Sequence, residues 1–248
     1  MWRANCAGHL RSNCRIYSQE LEQRSPYQKN LLFLGTAGHH SFAVSGRQEG
    51  DRSWRKGSVV TVTNLFVKGA HGGEVEPVET IAYDERGIHY NVPCAPFRQV
   101  LIASQSVTAE CGLGPGDLRE NIVIAFDSLY ELSSGTVIQI GRALIRLTFH
   151  CEPCKKILKL VEFDRILHKR GVFGTFLNQG VISIGDRFSV TEQKFEEIPY
   201  AVGDRIRWFL KKGDMSAAID LAHMIGLPAS YARAMPKLLK KFSFRAFS

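Results

Sequence analysis

The feature that most constrains this chain is a series of short apolar runs, rich in β-branched residues, across the middle of the sequence. Turn signals such as Gly72-Gly73, Glu85-Arg86-Gly87 and Ser133-Ser134-Gly135 separate them. The runs lie at residues 59–62, 78–82, 99–102, 121–124, 137–140, 143–149 and 180–190. Many short strands at close spacing, without regular helices between them, favour a mainly β fold built as a closed or partly closed β-barrel.

The two ends of the chain differ from this middle part. Residues 1–56 are polar and almost aperiodic, which predicts a disordered or poorly structured N-terminal extension before a barrel domain at 57–193. A short basic helix is predicted over 155–170. After residue 200 the apolar spacing becomes helical, which predicts a small helical appendage of about three helices at 200–244.

The positive charge belongs to the ends rather than to the barrel. The chain of 248 residues carries a formal net charge of +8, yet residues 58–193 hold 13 Lys and Arg against 15 Asp and Glu. This distribution argues against a nucleic-acid groove in the barrel. The C-terminal lysines Lys237, Lys240 and Lys241 could touch DNA or an acidic partner, although such a charge run is usually a solvated face.

Cysteine usage and hydropathy indicate the compartment. Six cysteines in 248 residues are too few for a disulfide scaffold, and no run is long and apolar enough to span a bilayer. We therefore expect free thiols in the cytoplasm. Residues 1–17 contain three arginines and no acidic residue, so a mitochondrial location is the alternative if they are a transit peptide.

Two thiols stand three residues apart at the end of a predicted β-hairpin formed by residues 135–149. Cys151 and Cys154 have no second Cys-x-x-Cys to complete a zinc ribbon, and they follow a strand instead of opening a helix as a thioredoxin motif does. Two interpretations remain: the thiols are simply buried, or a thiolate has another function. Lys155, Lys156 and a helix N-terminus would favour the thiolate of Cys154.

A glycine-rich loop at 112–121 combines backbone freedom with the cation Arg119 and the amide Asn121. Such a loop can bring N–H groups and a guanidinium to an anionic group such as phosphate, or it can be a solvated connection between strands. Arg98, which opens a strand, has the same two interpretations. The sequence contains no P-loop, no dinucleotide fingerprint and no histidine pair at metal-binding spacing.

Taken in order, several segments resemble the MOSC domain, which is found in molybdenum cofactor sulfurases, mitochondrial amidoxime-reducing proteins and bacterial hydroxylaminopurine-resistance proteins. Each segment is weak alone, and the ordered set across roughly 58–192 is more specific. The matching segments are residues 97–100, 119–122, Gly135, Ile140-Gly141, Cys151-Glu152-Pro153-Cys154, 170–173 and 180–186.

The resemblance implies a MOSC-type β-barrel whose pocket holds the pterin-based molybdenum cofactor. It assigns Cys154 as the catalytic residue, either as a molybdenum ligand or as the carrier of persulfide sulfur. It further implies that Arg119 and Asn121 line the cofactor pocket, with Arg119 facing the pterin phosphate, and that Phe173 lies near its rim. Arg98 is assigned to cofactor binding with them.

The resemblance leaves two functions of different classes. One is a reductase of N-hydroxylated compounds, a molybdenum-dependent oxidoreductase supplied by an electron-donor protein. The other is a sulfur carrier or cofactor-delivery module, supplied by a sulfur-donor protein. Residues 1–57 are too few and too polar to hold the aminotransferase-like sulfurase domain, so we expect a freestanding MOSC protein with no pyridoxal phosphate site and no zinc.

The C-terminal helices allow a third hypothesis. Residues 226–234 resemble the winged-helix part of alkylguanine-DNA alkyltransferases, but no cysteine follows Cys154, so the nucleophile of that family is missing. The three-helix domain behind the MOSC module of hydroxylaminopurine-resistance proteins fits the same segment about as well. A DNA-associated binding protein is therefore the third and weakest hypothesis.

Overall fold

The computed structural model describes residues 59–70, 73–92, 95–212, 221–222, 224–227 and 233–243. Apart from Lys212, they belong to one compact unit, residues 53–211 with 215–248. The second unit, residues 1–52 with 212–214, contains no other described residue. The predictions for residues 1–17 and 1–56 therefore lie outside the described residues.

Strands dominate the described part of the chain. The strands are β1 Val62–Val67, β2 Glu76–Val78, β3 Thr80–Asp84, β4 Gly87–Ile88, β5 Val100–Ser104, β6 Ile122–Ile124, β7 Thr136–Ile140, β8 Ala143–His150, β9 Val172–Phe176, β10 Gly180–Ser183 and β11 Phe188–Lys194. The α-helices with both ends described are α1 Gln105–Glu110, α2 Phe163–Ile166, α3 Val202–Lys212 and α4 Met235–Ser243. Short 3₁₀ turns occur at Asp127–Glu131 and Ile157–Lys159.

Eight strands form one curled sheet in the order β11-β7-β8-β9-β5-β6-β1-β2. An antiparallel bridge between Thr61 and Arg187 joins the start of β1 to the start of β11. The amide of Val62 also donates to the Asp186 carbonyl at 2.9 Å, and that of Phe188 to Val60 at 2.8 Å. These bonds connect the two sides of the sheet, so the predicted mainly β, barrel-like fold is confirmed.

A three-stranded antiparallel sheet, β10-β3-β4, packs against the same core. The Tyr83 ring of β3 stacks on Phe176 of β9 with centroids 4.4 Å apart. Isoleucines from β5, β6, β7 and β8 fill the centre and are fully buried. Because the predicted apolar runs supply most of this core, burial of their β-branched side chains is the main force that closes the barrel.

The predicted hairpin is present as β7 and β8, which pair antiparallel with Ile138 opposite Ile145. Two strand pairings were not predicted. β9 pairs antiparallel with the other edge of β8, and β5 runs parallel to β6. A parallel pair needs a crossover, and here α1 and the glycine-rich loop supply it.

The predicted helix over 155–170 is instead the 3₁₀ turn followed by the single turn α2. Ile157, Val161 and Ile166 are all buried in one cluster. In a continuous helix Ile166 would lie two and a half turns after Ile157 and point to the opposite side. The break at Glu162, whose backbone is extended, allows both isoleucines to be buried.

The apolar run at 180–190 is likewise divided, because β10 and β11 belong to different sheets. Gly185, with φ of +88°, lies in the turn between them. Since successive side chains of a strand point to opposite faces, one uninterrupted strand could not have served both sheets.

The C-terminal helices pack on the end of β8 that leads to the thiols. Phe209 of α3 meets the Phe97 ring edge to face at 5.3 Å, and Gly226 contacts the Phe149 ring. A helical appendage is therefore present, while the boundaries 57–193 and 200–244 stay predictions. Among the described residues, no helix combines the length and apolar character needed to cross a membrane.

Replacement of Gly226 should weaken the docking of these helices. Gly226 has φ of +81°, and a Cβ there would lie 2.2 Å from Phe149 Cε2. We expect Gly226→Ala to lower the free energy of unfolding by about 2–4 kcal/mol, from left-handed strain plus overpacking. Chemical denaturation measures this change. Gly69→Ala, where a Cβ meets nothing within 4 Å, is the control, and equal stability of the two variants would contradict the contact.

Candidate thiol and anion site

The loop that carries the two thiols begins where β8 ends. The Cys151 amide donates to the Gly171 carbonyl at 2.8 Å, so the start of the loop is fixed to the strand that follows Gly171. Cys151 is 3% exposed, whereas Cys154 is half-buried and packs on the Ile157 cluster. Cys111 lies on the same cluster, and all three of these described cysteines are free.

The surroundings of Cys154 stabilise its thiolate. Burial alone raises the pKa of Cys154, but the Arg170 charge, the amides of Ile157 and Lys156 and, to a smaller extent, the Arg119 charge together bring the pKa below its usual value. The two amides belong to the start of the 3₁₀ turn, where the Ile157 amide also donates to the Cys154 carbonyl at 2.9 Å. The thiol is thus half-exposed and its pKa is lowered, which is the combination that reactive cysteines require.

Arg170 is the cation that acts most strongly on this thiol. It is 8% exposed, and its Nη1 donates to the Glu152 carbonyl at 2.6 Å. No described residue accepts from its buried Nε. The next residue, Gly171, has φ of +150°, and a Cβ there would lie 2.8 Å from Leu101 Cδ1, so only glycine allows this close approach to β5.

Arg119 approaches from the glycine-rich loop. Its backbone is left-handed, with φ of +61°, and its Nη2 donates to the Gly73 carbonyl at 2.6 Å. The loop is held by the fully buried Glu120, whose Oε1 accepts from the Gly116 amide at 2.6 Å. Burial raises the pKa of Glu120 although this hydrogen bond opposes the shift. A strained, internally braced residue of this kind is common at functional sites.

Asn121 joins three strands or loops through its side-chain amide. Its Oδ1 accepts from the Leu101 amide at 3.1 Å, and its Nδ2 donates to the Phe66 carbonyl at 3.1 Å and to Asn91 Oδ1 at 3.3 Å. Asn121 is also buried. Its structural role is therefore visible, and its role in cofactor binding stays a prediction.

Arg98 and Phe173 lie together. The Arg98 guanidinium carbon is 4.5 Å from the centroid of the Phe173 ring, a cation–π contact. Phe173 in turn meets Phe149 edge to face at 5.8 Å. The guanidinium of Arg98 thus lies over an aromatic ring at the start of β9.

A second buried arginine, Arg205 of α3, reaches the thiol loop from the C-terminal helices. It is fully buried, donates to the carbonyls of Pro199, Tyr200 and Ile225, and lies 3.8 Å from a Glu152 carboxylate oxygen. Burial lowers the pKa of Arg205, against the opposing effect of Glu152. Nothing in the sequence pattern indicated this buried arginine, because cations in amphipathic helices are normally exposed.

The structure brings most of the predicted site residues to one region. The charges of Arg119 and Arg170 both act on Cys154, while that of Arg98 acts on Arg205 beside Glu152. Residues that sequence reasoning assigned no role are Arg170, Glu120 and Arg205. In the described residues, no three His, Cys, Asp or Glu side chains form a group that could hold a metal ion.

Comparison with known proteins identifies the domain. The MOSC domain family matches residues 89–189, so this part of the chain is a MOSC domain, a molybdenum-cofactor-related module. The match begins after β1, although β1 pairs with β6 inside the same barrel. No curated protein matches the sequence.

Solved structures give distant likenesses. The YuaD protein of Bacillus subtilis is 15% identical with a TM-score of 0.46, over 56% of this chain and 98% of that one. YiiM of Geobacillus stearothermophilus is 16% identical with a TM-score of 0.45, and the match covers 73% of this chain and 99% of that one. YiiM of Escherichia coli is 16% identical with a TM-score of 0.43, over 71% and 90%.

Removal of the Arg170 charge should slow the reaction of Cys154 with an alkylating reagent. Because Arg170 lowers the pKa of Cys154, Arg170→Gln should raise it and reduce the thiolate fraction at neutral pH. We expect iodoacetamide to react about 3- to 10-fold more slowly at pH 7, with the difference closing at high pH. Mass spectrometry of the Cys154 peptide measures the rate. Arg142→Gln, at an exposed turn, is the control, and a pH profile shared by both variants would refute the effect.

Replacement of Asn121 should destabilise the cofactor-free protein. Asn121→Leu leaves the Leu101 amide and the Phe66 carbonyl without their partner, which costs about 2–4 kcal/mol of unfolding free energy. Denaturant unfolding gives this quantity. Gln193→Leu, at an exposed strand position, should change it by less than about 0.5 kcal/mol. A stable Asn121→Leu variant would show that these hydrogen bonds matter little.

Proposed function

We propose that this MOSC protein binds the pterin-based molybdenum cofactor and reduces N-hydroxylated compounds, with Cys154 as the protein's ligand to molybdenum. The observation that carries the proposal is the environment of Cys154: a half-exposed thiol with a lowered pKa, under the charges of Arg170 and Arg119, inside a MOSC domain. The cofactor, when bound, supplies a redox-active metal and its own sulfur ligands. One protein thiolate is then sufficient, and a soft thiolate suits such a metal.

The residues present fit this group. Its phosphate is an anion, and the buried Nε of Arg170 has no acceptor among the described residues. Arg119 contributes a second guanidinium whose Nη2 is already oriented by the Gly73 carbonyl. Guanidinium groups bind phosphate through paired, charge-assisted hydrogen bonds, so these two arginines would hold the anionic end of the cofactor.

The remaining side chains would position and shield the site. Arg98, in cation–π contact with Phe173, would present a cation whose side chain is already partly ordered. The Ile157 cluster beneath Cys154 keeps water from one side of the thiolate. Cys151, buried and hydrogen-bonded to Gly171 through its amide, would fix the loop and take no part in the chemistry.

The reaction requires an external source of electrons. An N-hydroxylated compound R–NHOH takes up two electrons and two protons, its N–O bond breaks, and R–NH₂ and water are released. The electrons would come from an electron-carrier protein and the protons from solvent. The basic surroundings of Cys154 would stabilise the sulfur as thiolate throughout, so it is not the proton donor.

The same thiol also suits a second function, a persulfide carrier that turns over nothing alone. A lowered pKa and partial exposure are what a sulfur-accepting cysteine needs, since thiolate is the nucleophile in sulfur transfer. In that case Cys154 would receive sulfur from a donor protein and pass it on. Arg170 and Arg119 would then stabilise the persulfide anion.

Metal content and activity of purified protein separate the two functions. The full chain is expressed in a cofactor-competent host, and molybdenum is assayed together with reduction of an N-hydroxylated purine. We expect about one molybdenum per chain and an activity that Cys154→Ala abolishes, because the metal loses its protein ligand. Cys111→Ala is the matched control, since Cys111 is half-buried on the same apolar cluster.

Two other results would contradict the reductase. Protein without molybdenum but with cyanide-releasable sulfur on Cys154 would establish the carrier instead. If Cys154→Ala changes neither metal, sulfur nor activity, the thiol is structural and both functions fail.

A further inference from the structure

The segment that follows Cys154 exposes an unusual number of apolar side chains. Leu158, Leu160 and Phe163 are 42%, 53% and 48% exposed. They are three of the eight large apolar residues that the described part of the chain leaves exposed. Together with the exposed Lys155, Lys156 and Lys159 they form what we call the donor surface. A local concentration of this kind usually marks an interaction site.

The backbone that carries the donor surface is anchored to the core of the domain. Ile157, Val161 and Ile166 alternate with its residues and are buried against Ala103, Val107 and Leu118. The amides of Leu160 and Val161 also bond to the Ile157 carbonyl at 2.9 and 3.1 Å. Leu158, Leu160 and Phe163 are therefore exposed because the backbone is anchored by the three neighbouring side chains that point into the core.

Charge limits what can cover this surface. Three lysines occur within five residues, and neither Lys155 nor Lys159 forms an ion pair with a carboxylate among the described residues. A second copy related by a twofold axis through the lysines would bring three more lysines against them, and like charges directly opposed are unfavourable. That arrangement of two copies is thus disfavoured.

A membrane is also a poor fit. An interfacial helix places a long apolar face along the bilayer, whereas this segment contains only a three-residue 3₁₀ turn and a four-residue helix. Glu162 and Asp164, both exposed, give the segment negative charge beside its lysines, so the surface fits a protein that carries basic groups opposite these two residues and carboxylates opposite the lysines.

We propose that the donor surface docks an acidic electron-carrier protein, with carboxylates paired to the lysines and an apolar centre on Leu158, Leu160 and Phe163. This inference rests on the proposed reductase function, which needs electrons delivered close to Cys154. Lys155 and Lys156 directly follow that residue, so a carrier seated here lies beside the site. Basic residues around an apolar centre are an arrangement that steers an acidic partner and then holds it.

The test uses the full chain and plant-type [2Fe–2S] ferredoxin as an acidic carrier. Calorimetric titration should detect binding that weakens as salt is raised. Lys155→Glu/Lys159→Glu should weaken it at least about tenfold at low salt, and Leu160→Ser should weaken it at all salt concentrations. Lys194→Glu and Val181→Ser, an exposed lysine on β11 and an exposed apolar residue on β10, should leave it unchanged.

The alternatives give different results. Absent binding, or binding that all four variants share equally, overturns the proposal. The proposal also fails if the protein binds vesicles of phosphatidylglycerol and phosphatidylcholine but not ferredoxin, and Leu160→Ser abolishes the vesicle binding. It fails as well if the chain forms a dimer that Lys155→Glu/Lys159→Glu strengthens. Turnover of an N-hydroxylated purine with dithionite-reduced methyl viologen, which needs no docking, tests the reductase separately. Absence of this turnover would contradict the reductase function, whereas the ferredoxin titration tests whether the donor surface binds an acidic carrier.

Discussion

The arrangement of the thiol site depends on the antiparallel pairing of β8 with β9. This pairing places His150 opposite Val172, and the Cys151 amide extends it by one bond to Gly171. Arg170 therefore stands beside the thiol loop and binds the Glu152 carbonyl within it. If β8 and β9 were not paired, Arg170 and the thiols would belong to two independent loops. Bringing them together would then cost the conformational entropy of both loops.

The same geometry concentrates positive charge where the overall composition does not indicate it. The central part of the chain has slightly more acidic than basic residues, yet Arg98, Arg119 and Arg170 lie near one end of the barrel. Buried or half-buried guanidinium groups act through a lower effective dielectric than surface lysines, so few are needed. Such a site suits a compact anion held by specific hydrogen bonds, in contrast to a nucleic acid held by a broad basic surface.

Local patterns predicted the strands and the β7–β8 hairpin because alternation and turn residues act over a few positions. β9 was missed because its sequence, Val172-Phe173-Gly174-Thr175-Phe176, was read only as part of a motif, and its partners are distant in sequence. The parallel β5–β6 pair and α1 depend on the same long-range pairing. Spacing could not separate Cys151 from Cys154, since their difference is one of burial. Arg205 gave no signal, because its environment exists only once the helices dock.

The enclosure of Arg205 makes the C-terminal helices and the thiol loop thermodynamically linked. Arg205 is held by three carbonyls of the C-terminal segment, and its 3.8 Å approach to a Glu152 carboxylate oxygen is the contact that joins this segment to the thiol loop. Linkage is reciprocal. Through this contact, a ligand that orders the loop would favour the packing of the helices on Phe149, and a change that loosens those helices would lower affinity at the loop. The helices thus form a second route by which events remote from the sulfur can reach it.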